Sequence, residues 1–95
     1  MKRTAGEIIC PIQDPGQWSF LKRRFRLSSA ETYVAIKICQ AFNVGQIAGR
    51  RNRSANTVRR QRESIRAKTG TRNDVELLTT FLMALRWEAD NAYGG

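Results

Sequence analysis

Four helix-start signals in quick succession constrain this chain more than any other feature of it. Ser28 with Glu31, Asn43 with Gln46, Ser54 with Thr57 and Asn73 with Glu76 each set a short polar residue three positions ahead of a second hydrogen-bonding one. In a capping box the first side chain accepts an orphan backbone N–H of the opening helical turn, and the second can reach back to the cap. The spacing predicts helices over 29–42, 44–51, 55–69 and 74–90. Gly70 is placed to close the third in a left-handed cap. No strand is needed, so the expectation is an all-α fold of four helices behind a short N-terminal extension, 1–26, that is partly ordered. The tail 92–95 is expected to fray.

Ninety-five residues fit one domain with a small core. Hydrophobic content of 41% is sufficient for folding, while no apolar run approaches the ~20 residues that span a bilayer. The first residues lack the apolar stretch of a secretory signal. Cys10 and Cys39 are too few and too dispersed for a disulfide framework, which fits a reduced cytoplasm. With no histidine and no C-x-x-C, neither a metal site nor a cofactor is expected. The missing histidine also removes the commonest general base, and no phosphate loop or nucleophile elbow is present, so the chain is not expected to be an enzyme.

The net charge of +9 is concentrated. Residues 32 to 73 hold ten basic side chains against the single acid Glu63, and the rest of the chain holds seven of each sign. Like charges packed this densely repel one another, so a polyanion facing the middle segment is the first partner to consider.

Within that segment, helices of about eight and fifteen residues joined by the tight turn "RNRS" at 51–54 form a helix-turn-helix, the unit that lays its second helix in the major groove of double-stranded DNA. On the second helix Val58, Ile65 and Thr69 share one face. Asn56, Arg59, Arg60 and Glu63 share the opposite one.

From Leu27 to about residue 85 the sequence resembles the DNA-binding domain of the LuxR (GerE-like) regulators. The resemblance rests on Leu27, Ser28 and Glu31, on "QIA" at 46–48, on "S-x-x-TVR" at 54–59, on Ile65, and on "K-T-G-x-R" at 68–72 followed by Glu76 and Leu77. It implies a domain at 27–91 with the third helix as recognition helix and the fourth as dimer contact. On this basis Asn56, Arg59, Arg60 and Glu63 are expected to read bases. Arg51, Arg53, Ser54, Thr57, Arg66, Lys68 and Arg72 are expected at phosphates, and Leu78, Phe81, Leu82 and Leu85 at a homodimer interface. The implied function is that of a stand-alone bacterial transcription regulator, cytoplasmic and nucleoid-associated, in contact with RNA polymerase or another regulator and with no membrane partner. The alternative is an interaction protein with a LuxR-like shell that modulates a sigma factor or another regulator without reading DNA. A third is non-specific nucleic-acid binding.

The chain departs from the family pattern at Ala41, where glycine is usual, with Asn43 available to take the turn conformation instead. Arg51, Arg53 and Arg62 occupy usually apolar sites and put the helix-turn-helix packing in question. Arg51 and Arg53 can lay their stems over apolar surface and reach water. A buried Arg62 needs an acid, and Glu31 is the candidate, unless Glu31 only caps its own helix.

Other positions keep two readings. Pro11, Pro15 and Gly16 are expected to break any helix, after which "WSFLKRRFR" at 18–26 is either a basic arm on phosphates or an extra turn of helix packing its aromatics on the core. Cys39 is a small core residue or a redox sensor. Trp87 is a packing or an interface residue. Val75, Leu78, Leu82, Leu85 and Ala89 recur at spacings of three and four, a stripe suited to core or to dimer.

Overall fold

The computed structural model describes residues 10–93. They form five helices and no strand: α1 (Pro15–Phe25), α2 (Ser29–Cys39), α3 (Val44–Arg51), α4 (Ala55–Thr69) and α5 (Asp74–Tyr93). No helix among them is long and apolar enough to cross a membrane.

The expected caps form. Ser28 with Glu31, and Asn43 with Gln46, make complete reciprocal boxes. Ser54 accepts from the Thr57 N–H at 3.1 Å, but Thr57 turns its hydroxyl to Ser54 Oγ and does not reach back to the backbone. Asn73 accepts from the Glu76 N–H at 2.9 Å, while the Glu76 carboxylate takes the N–H of Arg72. Gly70 closes α4 at φ 68°. Helix α2 stops at Cys39 because Ala41 adopts φ 67°. The turn conformation therefore falls on Ala41 and not on Asn43, which stays extended to cap α3.

The largest correction is α1. Pro15 does not break this helix; it starts it, with the Asp14 side chain accepting the Gly16 N–H at 2.8 Å. Proline suits the first helical position because its missing N–H has no intrahelical partner there and its φ is already helical. The aromatics of 18–26 pack inward. Trp18 and Leu21 are buried, and Trp18 Nε1 donates to the Ile12 carbonyl at 2.9 Å. Trp18 meets Phe81 edge-on with ring centroids 5.6 Å apart, and Phe25 meets the same ring at 5.7 Å. This segment is thus a fifth helix of the domain and not a free arm.

Helices α2, α3 and α4 pack together around Val34, Ile38, Ile47, Ala48, Val58 and Ile65. α5 joins through Leu77, Phe81 and Leu85, with α1 on its flank. Phe81 is fully buried and Leu85 nearly so. Both were expected at a dimer interface, and both belong to the core, because a five-helix domain closes over the α5 face that carries 77, 81 and 85. α5 continues to Tyr93, and the last two residues of the expected frayed tail lie outside the described residues.

Candidate nucleic-acid interface

The turn between α3 and α4 is made by Asn52 in the left-handed conformation, φ 53°, with the Arg53 N–H returning to the Ala48 carbonyl at 3.0 Å. Asparagine tolerates that conformation better than most residues. The result is a tight corner between α3 and α4 with Ile47, Ala48 and Val58 buried at its inside.

Arginines at 51, 53 and 62 sit differently at this corner. Arg51 lays its guanidinium over the Tyr33 ring at 4.4 Å from the centroid. Arg53 is exposed. Arg62 is half-buried. Arg50 stacks on Phe42 at 4.4 Å, and Lys37 lies 5.4 Å from both rings. Stacking on an aromatic face holds a cation while leaving its N–H edges free for an anion.

Helix α4 separates its two faces. Val58 and Ile65 are buried and Thr69 is half-buried, while Asn56, Arg59, Arg60 and Glu63 are exposed. Among the described residues, neither Arg59 nor Arg60 forms an ion pair. The exposed N-terminal end of α4 adds Ser54 and Thr57, whose hydroxyls bond each other at 2.8 Å.

The C-terminal cations of the segment are differently placed. Lys68 donates to the Glu31 carboxylate at 2.7 Å and to the Arg26 carbonyl at 3.0 Å. Arg66 pairs with Asp74 and Arg72 with Glu76, each at 3.1 Å. The three expected phosphate contacts nearest Gly70 thus have their charge met within the chain.

Glu31 does not pair with Arg62, which corrects the expected partnership. Its carboxylate caps α2 through the Ser28 N–H at 2.8 Å, accepts the Ser64 hydroxyl, and binds Lys68. Burial alone would raise this carboxyl. Hydrogen bonds from Lys68, Ser64 and the Ser28 backbone, with the Lys68 charge, outweigh that and hold it down to about 2. Glu31 thus does more than cap, tying the start of α2 to the end of α4. Cys39 is a core residue whose thiol is pushed well above its ordinary range, first by burial and then by the neighbouring Cys10 thiol.

On α5, Leu78 is half-buried and Leu82 is 40% exposed, so these two of the expected interface residues reach the surface. Val75, Met83 and Trp87 are more exposed still. Lys37 four residues after Tyr33 on α2 was a stacking signal available in the sequence, but the Arg50 and Arg51 stacks join separate helices and had none.

The chain matches no family model, no curated protein and no solved structure.

Proposed function

We propose that this protein is a DNA-binding transcription regulator of LuxR type that reads sequence with the outer face of α4. The observation that carries this reading is the exposed row Asn56, Arg59, Arg60 and Glu63 on the second helix of the α3–α4 pair, with both arginines free of ion pairs among the described residues. Arginine can be bidentate to guanine O6 and N7 in the major groove, and asparagine to adenine. Arg51, Arg53, Ser54 and Thr57 cluster at the helix entry, where side chains and backbone amides suit phosphate oxygens. The charge on α4 is then tolerated because phosphates line both walls of the groove it enters.

Lys68, Arg66 and Arg72 have secondary places in this reading, since moving them to phosphates would break ion pairs. The same observation favours the second reading, a protein that modulates a sigma factor or another regulator and leaves DNA alone. The exposed Leu82 and Val75 on α5 offer either a homodimer contact or that partner's surface.

Binding the purified protein to a genomic fragment library separates the readings. A few enriched sites support the regulator. No enrichment above input supports the interaction protein, and uniform retention of all fragments supports non-specific binding.

A further inference from the structure

We infer that the junction of α2, α4 and α5 binds a small organic acid with an apolar body, its anionic head held by Arg62. A groove of about 440 Å³ opens where the end of α2 meets the start of α5, walled by Ile38, Phe42, Val75 and Leu78. A narrower chamber of about 100 Å³ adjoins it, sharing Ile38, Phe42, Asn43 and Asp74, and Arg62 lines this inner part. The combined space falls within the usual range of small-molecule sites, mostly apolar with a few polar groups.

The charge balance selects the ligand. Arg62 Nε, like Arg66 Nε, is shut away from solvent with no hydrogen-bond partner, but Arg66 has an acid on its guanidinium whereas no carboxylate pairs with Arg62 among the described residues. Asp74 lines the same chamber, but its carboxylate is engaged with Arg66 at 3.1 Å. Arg66, one helical turn from Arg62, is therefore neutralised by Asp74, which leaves Arg62 as the cation of the chamber without a carboxylate partner among the described residues. A partly buried, uncompensated guanidinium beside apolar walls is costly, and a carboxylate whose hydrocarbon tail follows the groove relieves both the charge and the exposed apolar surface. This inference rests on the cavity and not on DNA binding. Its consequence for the proposed function is that a ligand touching α4 through Arg62 and α5 through Leu78 would act on the recognition helix and on the α5 surface together.

The test is a heteronuclear NMR titration of the full chain with sodium octanoate, with octanol and acetate alongside. The expected result is saturable shifts at Ile38, Phe42, Val75, Leu78 and the Arg62 Nε–H, weaker binding of octanol, and none of acetate. Arg62→Met conserves most of the volume, and it should bind octanoate about tenfold or more weakly while binding octanol as before. If that variant is poorly folded, the preference of the unaltered chain for octanoate over octanol decides alone. A chamber that is merely hydrated, giving no saturable shift, would overturn the inference. So would shifts confined to the exposed Trp87 and Met83, or equal octanoate affinity in Arg62→Met.

Discussion

At the scale of single residues, Glu31 carries more of the fold than its place as a cap suggested. Its carboxyl is held at about 2 in the folded chain against an ordinary value of 4.5. A depressed folded value means that the ionised form stabilises the fold above about pH 4.5, and that this contribution is lost as pH falls toward 2. The shift corresponds to about 3 kcal/mol. Urea denaturation of Glu31→Gln beside the unaltered chain should show a gap of that size at neutral pH, closing between pH 4.5 and 2. A gap equally wide at both ends of that window would assign the stability to something other than the charge. Ala41 makes the opposite case. It is exposed and held at φ 67°, a conformation costly to a residue with a Cβ. Ala41→Gly should relieve that strain, less the extra freedom gained by the unfolded chain, for a net gain of about 0.5–1 kcal/mol and a melting point a few degrees higher.

Among the elements, α1 and α5 decide how large the domain is. Leu21 is fully buried where α1 meets the core. Leu21→Ala should therefore cost about 2–5 kcal/mol in equilibrium unfolding, as for any large core residue, while Met83→Ala on the open side of α5 should cost less than about 0.5. Similar small effects from both would mean that α1 is not integral to the fold. The contrast also shows what was legible beforehand. α3 and α4 could be bounded to the residue because their caps are local, and a box such as Asn43 with Gln46 is written within four positions. The start and length of α1 are not legible beforehand, because Pro15 reads as a breaker unless it is taken together with Asp14 before it, which turns the same residue into a start and the extra turn considered at 18–26 into a full helix. The α5 stripe was ambiguous for a different reason. Residues at spacings of three and four keep one side of a helix apolar whether a neighbouring helix or a second molecule covers it. Only the position of α1 showed that Phe81 is enclosed by Trp18 and Phe25. The exposed row of the candidate interface was legible from the wheel of α4. The neutralisation of Lys68 was not, because Glu31 lies 37 positions away.

For the whole molecule, the proposed function calls for two kinds of association, with DNA and with a second copy of the chain. Leu78, Leu82 and Val75 form the remaining apolar strip of α5, and a self-complementary strip is the commonest route to a symmetric pair. Sedimentation at micromolar concentrations should show a dimer that Leu82→Lys dissociates with little change in folding. A monomer both with and without DNA would leave the strip to a different partner. In the dimer, two α4 helices about 34 Å apart would match an inverted repeat spaced near one helical turn. The most direct measurement is fluorescence anisotropy of the unaltered chain, Arg59→Ala and Arg60→Ala on a site recovered from the genomic fragments and on a random duplex of equal length, at several salt concentrations. The expected result is a clear preference for the recovered site, reduced by about 1–3 kcal/mol in each variant, with much smaller losses on random DNA. Equal losses on both duplexes, or no preference in the unaltered chain, would contradict base reading by the outer face of α4.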